Sequence, residues 1–111
     1  MLRNSWIYFE DIIEASRRIQ IFTKNYTLRQ FSSDDKTFDA VVRNLEIIGE
    51  AVKNVPSSFR SKHPEVEWKK IAGLRDILVH EYFGVDVEII WDIVQHKIPV
   101  LEKQVRAILK S

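Results

Sequence analysis

The chain has 111 residues, 45% of them hydrophobic and 30% charged, with a formal net charge of +1, proportions that exclude a disordered chain and predict one globular helical domain over residues 1–111. It contains no cysteine, which excludes disulfides, thiolate metal ligands and a thiol nucleophile. No stretch approaches the ~20 apolar residues of a membrane span and no signal-peptide pattern opens the chain, so a cytoplasmic protein away from the membrane is expected.

Four long amphipathic helices follow from the spacing of apolar residues. In the first, Tyr8, Ile12, Ala15, Ile19, Phe22 and Tyr26 recur at alternating steps of four and three, the period of one helical face. The second is predicted to start at Ser32 or Ser33, good N-cap residues followed by Asp34 and Asp35. Its stripe is Phe38, Val41, Leu45, Ile48, Val52 and Val55, and Pro56 ends it. The connector PSSFRSKHPE has room for one short turn. The third helix is predicted over about 65–83, with Gly84 as its C′ residue. Asp86 caps the fourth, whose stripe is Val87, Ile90, Val94, Ile98, Leu101, Val105 and Ile108, and Pro99 should kink it. No segment alternates with a period of two, so the fold class is all-α, an up-down helical bundle. Gly49 and Gly73 each cost about 1 kcal/mol inside a helix and imply close helix–helix approach.

The third helix departs from the pattern. Ile77, Leu78 and Val79 are consecutive, so its apolar surface covers most of the circumference and needs burial on more than one side. A small bundle cannot surround a helix alone, and a homodimer built on this element is expected.

Charge is uneven along the chain. Residues 53–75 carry six basic and two acidic side chains, an excess that would attract a nucleic acid and equally describes a solvated lysine-rich loop. It leads directly into RDILVHEYFG, residues 75–84. Guanidinium binds phosphate bidentately and imidazole moves protons near neutral pH, so Arg75 and His80 are the candidate chemical pair. Five helical residues turn through ~140°, which points the two apart; Asp76 shares the face of His80 and could orient the imidazole. A site using both Arg75 and His80 requires a long arginine swing, a local π-bulge or a second chain. Metal chemistry has little support: Glu10/Glu14 and Glu46/Glu50 share faces without histidines at ligand spacing, and read as solvated or salt-bridged. His63 and His96 read as surface residues. No metal or other cofactor is expected. The alternatives left by the residues are a metal-free nuclease using the 2′-hydroxyl of RNA, a phosphate-binding module, and a purely structural helical dimer.

Three blocks give the chain a resemblance: AVVRNLEIIGEAVK (40–53), PEVEWKKIAGLRDILVHEYFGVD (64–86) and IWDIVQHKIPVLEKQV (90–105). The chain resembles the HEPN superfamily, specifically the HepT-like ribonuclease toxins of prokaryotes. That resemblance implies a helical dimer with its Arg-polar-x3-His motifs face to face, acting on an RNA substrate as a metal-independent endoribonuclease. By motif position it makes Arg75 and His80 catalytic and Asp76 the polar residue beside the arginine, a position often held by Asn. It further implies a minimal nucleotidyltransferase antitoxin that attaches AMP to Tyr82, and a larger toxin–antitoxin assembly is compatible with it. The other reading within the superfamily is a non-catalytic nucleotide- or RNA-binding partner of a nucleotidyltransferase.

Overall fold

A computed structural model describes residues 3–81 and 84–110, with side chains from Trp6 onward. The described residues form helices joined by turns, without a strand, as an all-α bundle. Helix α1 spans Arg3–Phe22, α2 Leu28–Ser32, α3 Asp35–Asn54, α4 Ser57–Lys62 and α5 Trp68–His80. Helix α6, Val87–Asp92, runs through a π-helical turn at Ile93–Lys97 into α7, Ile98–Lys110. No described helix is long and apolar enough to cross a membrane.

The core lies among α1, α3 and α7. Ile12, Ala15 and Ile19 of α1, Val41, Leu45, Ile48 and Val52 of α3, and Ile98, Leu101, Val105 and Ile108 of α7 are all buried. Each large aliphatic side chain so buried contributes about 1.5–3 kcal/mol relative to exposure. The first stripe is centred differently from its sequence reading. Phe9 is fully buried while Phe22 is exposed, and Tyr26 lies past the helix end. Asn25 closes that end with a positive φ of 64°, a conformation asparagine tolerates better than most residues.

Three further boundaries differ from expectation. Leu28–Ser32 form a short helix closed by a capping box, in which Thr27 Oγ1 accepts from the Gln30 N–H and Gln30 Oε1 accepts from the Thr27 N–H. This consumes the serines, so α3 is capped by Asp34. The Asp34 carboxylate accepts from the Thr37 N–H at 3.1 Å, the Thr37 hydroxyl at 2.6 Å and the Tyr26 hydroxyl at 2.7 Å. These bonds, the Thr37 hydroxyl first, lower its pKa from 3.8 to about 2. The depressed value means that the bonds stabilise the fold above pH 3.8 and that this contribution is lost as pH falls toward about 2. Asp34→Asn is therefore expected to flatten the acid limb of a thermal-stability profile over that interval, and an unchanged limb would contradict the cap's role.

Helix α5 is shorter than predicted. Residues 63–67 turn before it, with the Trp68 indole N–H donating to the His63 carbonyl at 2.9 Å, and Trp68 begins the helix. His63 is half-buried and stacks on Phe59 with ring centroids 4.7 Å apart, so it is more than a surface residue. At the other end, the Glu81 N–H closes on the Ile77 carbonyl and Glu81 is the C-cap. Gly84 is not a left-handed C′ residue, since no described glycine has positive φ. Pro99 has no N–H to offer Gln95 and would crowd its carbonyl. The chain answers with the preceding π turn, in which the Ile98 N–H reaches back to Ile93 O.

Helix α5 rests chiefly on α3. Between α5 and α7 a groove of about 560 Å³ opens onto Leu45 and Ile48 of α3, with Ile71, Leu74 and Ile77 on one wall. The bundle is thus open along α5. Leu78 is buried, but Ile77 is 49% and Val79 44% exposed in the single chain.

Candidate functional site

Arg75 is positioned by a missing side chain. A Cβ built on Gly49 of α3 would lie 2.2 Å from Arg75 Cβ and 2.8 Å from its Cγ, so α5 occupies the space that glycine leaves. Gly73 differs: nothing lies within 4 Å of an added Cβ. The close approach expected of both glycines is made in this chain by Gly49 and not by Gly73.

That approach brings two oppositely charged pairs together. Glu50 and Lys53, three residues apart on α3, share a face and meet the consecutive Arg75 and Asp76 of α5. Arg75 Nη2 lies 3.1 Å from Glu50 Oε2, and Nη1 donates to Asp76 Oδ1 at 3.2 Å. Lys53 Nζ donates to the same Asp76 oxygen. The Lys53 ammonium, and after it the Arg75 guanidinium, hold the Asp76 carboxyl below the ordinary carboxylate range. Asp76 is therefore turned toward α3, and its hydrogen-bond partners are Lys53 and Arg75 in place of the expected His80. The four side chains sum to zero formal charge.

His80 is the last residue of α5, exposed, with no hydrogen bond or ion pair among the described residues. Arg75 and Val79 line a second groove of about 350 Å³ whose other walls include Tyr8, Arg43 and Glu46; His80 does not line it. Within one chain, then, Arg75 and Asp76 are joined and His80 stands apart on the helix end, as its five-residue offset from Arg75 requires. Tyr82 lies outside the described residues. The arrangement leaves a guanidinium held by two carboxylates, with N–H donors to spare for an anion, and an exposed imidazole at the helix end.

The remaining candidates sort as their chemistry suggests. Glu14 is salt-bridged to Arg17 and Arg18, and His96 pairs with Asp92 on the exposed face of the π turn. No group of three His, Cys, Asp or Glu side chains among the described residues is placed to hold a metal ion. Glu50, read from the sequence as solvated or salt-bridged, is ion-paired as expected; that it and Lys53 meet the Arg75–Asp76 pair is what sequence reasoning missed. Their signal was present as a glycine inside a helix followed by an acid and a base that complement the Arg75–Asp76 dipeptide.

A family model described as "Ribonuclease HepT-like" matches residues 12–108. A protein named as a candidate RNase in Methanocaldococcus jannaschii is 50% identical over 94% of this chain and 86% of its own length. Another so named, in Caldanaerobacter subterraneus subsp. tengcongensis, is also 50% identical, over 94% of this chain and 93% of its own. A "Probable ribonuclease HepT" of Thermococcus cleftensis is 48% identical over 92% of this chain and 93% of its own. No solved structure matches the chain.

Proposed function

Because the chain belongs to the HepT-like ribonuclease family, we propose that it is the toxin of a prokaryotic toxin–antitoxin pair, a metal-independent endoribonuclease acting at a cleft shared by two copies. The observation that carries this reading is the state of α5. It bears Arg75 and an exposed His80 whose ring has no partner among the described residues, with Ile77 and Val79, on different sides of the helix, each left about half uncovered by one chain. Packing two such helices together would cover those residues and bring two guanidinium and two imidazole groups to one phosphodiester.

In that cleft one His80 takes the proton of the RNA 2′-hydroxyl as the 2′-oxygen attacks phosphorus. The bond from phosphorus to the 5′-oxygen breaks, and the second His80 delivers a proton to the departing oxygen. The products are a 2′,3′-cyclic phosphate and a 5′-hydroxyl. Arg75 donates to the non-bridging oxygens, where charge develops in the transition state. Asp76 acts through Arg75, whose guanidinium it holds. Neutralisation is by a minimal nucleotidyltransferase antitoxin: the Tyr82 phenolic oxygen displaces pyrophosphate from ATP and acquires AMP, a bulky anion that obstructs RNA by volume and repulsion. The test is incubation of purified protein with RNA in EDTA. RNA should be cut to cyclic-phosphate ends and DNA left intact; intact RNA would reject the activity. Intact mass after co-expression with such a nucleotidyltransferase should rise by multiples of an AMP residue and stay unchanged in Tyr82→Phe.

The shared cleft makes its own prediction. Ile77→Asp places a charge on one uncovered side of α5 and is expected to convert a dimer to monomer at micromolar concentration in sedimentation, with cleavage lost. A wild-type protein that sediments as a monomer there would remove the composite site.

One observation favours a second reading. Arg75 is already engaged by two carboxylates, which suits a non-catalytic HEPN subunit that binds RNA or a nucleotide as partner of a nucleotidyltransferase. RNA binding without cleavage in the EDTA assay would select it.

A further inference from the structure

The strongest unassigned feature is the cross-helix quartet of Glu50, Lys53, Arg75 and Asp76. We propose that Glu50 is a positioning residue for the reaction: together with Asp76 it fixes the Arg75 guanidinium in the orientation that meets phosphate, and Lys53 holds Asp76 in place for that task. The inference rests on the ribonuclease reading for its functional half, while the hold on Arg75 can be measured without substrate.

Three independent features of the geometry carry it. The first is the placement of the anions, one on each terminal nitrogen: Glu50 Oε2 3.1 Å from Nη2 and Asp76 Oδ1 3.2 Å from Nη1. The hydrogen bond from Nη1 to Asp76 and the ion pair of Nη2 with Glu50 together restrict rotation about its last bonds, yet of its five N–H donors several remain for a ligand. The second is spacing. Arg75 leaves α5 directly over Gly49, so its stem is clamped against α3 one residue before Glu50, and side chain and counter-ion are set by the same contact. The third is the second rung. Asp76 alone, adjacent to Arg75 and half exposed, would be a loose partner, but Lys53 ties it back to α3.

Stability is a poor explanation for the quartet. Glu50 is 56% and Asp76 49% exposed, and exposed ion pairs contribute little to folding. A long side chain fixed before the ligand arrives loses less freedom on binding and gains in the transition state, which is where the benefit of such pairs is expected. The cost is charge. The quartet is formally neutral, so Arg75 offers directed hydrogen bonds more than net attraction, and Glu50 should act on turnover more than on RNA affinity.

The test compares Glu50→Ala and Glu50→Gln with wild type. Side-chain ¹⁵N NMR of Arg75 reads the hold directly: separate, slowly averaging Nη signals in wild type, collapsing in Glu50→Ala. In the cleavage assay Glu50→Ala is expected to lower kcat about 10- to 100-fold, with KM within about threefold of wild type. Glu50→Gln keeps an oxygen acceptor and should recover most of that loss. Tm should move by no more than about 4 °C in either variant. In an Arg75→Lys background, Glu50→Ala should cost less than about twofold, because it acts through the guanidinium. Unchanged Arg75 signals, equal losses in both backgrounds, or a faster Glu50→Ala enzyme would each overturn the proposal. If wild type does not cut RNA, the ribonuclease reading fails by itself, and the NMR arm still decides whether Glu50 fixes Arg75.

Discussion

Replacing His80 with alanine is expected to slow RNA cleavage by about 10²- to 10⁴-fold, the range that general acid–base groups supply. The fold should be untouched. His80 is exposed at the last position of α5 and its side chain makes no hydrogen bond or ion pair among the described residues, so removing its ring opens no cavity and breaks no contact to them. Tm and sedimentation are the controls, and both should match wild type. His80→Gln, which keeps hydrogen-bonding capacity but cannot be protonated near neutral pH, should be as inactive as alanine if proton transfer is the role. A glutamine variant that cuts RNA at the wild-type rate would reduce His80 to a binding group.

The second large effect is on stability, at Gly49. Alanine in a helix interior is ordinarily better than glycine by about 1 kcal/mol. Here the added methyl would lie 2.2 Å from Arg75 Cβ and 3.3 Å from its Cα, atoms no rotamer change can move away. Helix α5 must shift off α3, and overpacking of that kind costs about 1–3 kcal/mol. The clash wins, and Tm should fall by roughly 5–10 °C. Because the shift displaces Arg75 from Glu50, cleavage should fall with it. Gly73→Ala is the matched control, since nothing lies within 4 Å of its new methyl; there the helix preference should dominate and folding stability should rise. A Gly49→Ala protein as stable as wild type would mean that α5 does not sit this close to α3.

Much of the bundle is written in the sequence because its core helices bury one face each. The stripe of α7, from Ile98 to Ile108, needs only a count of threes and fours, and Pro56 and Asp86 mark helix ends through local chemistry. What escaped was set from a distance. Helix α5 starts at Trp68 because the indole finds a carbonyl in the preceding turn, and the irregularity before Pro99 becomes a π turn, which apolar spacing alone does not mark. The site divides the same way. Arg75, Asp76 and His80 stand out by chemistry and by likeness to a family, and their angular separation follows from helix geometry. Periodicity states which residues share a face but not which faces meet, so the partners that Glu50 and Lys53 find on α5 emerge only once Gly49 brings it against α3.

The central claim is that one cleft uses His80 from two chains at once. Mixing wild type with His80→Ala under conditions that exchange subunits tests it directly. If both imidazoles are needed, only wild-type dimers cut RNA, and an equal mixture should retain about a quarter of the activity of the same total amount of wild type. Retention of about half, falling in direct proportion to the wild-type fraction, would show that each chain carries a complete site of its own.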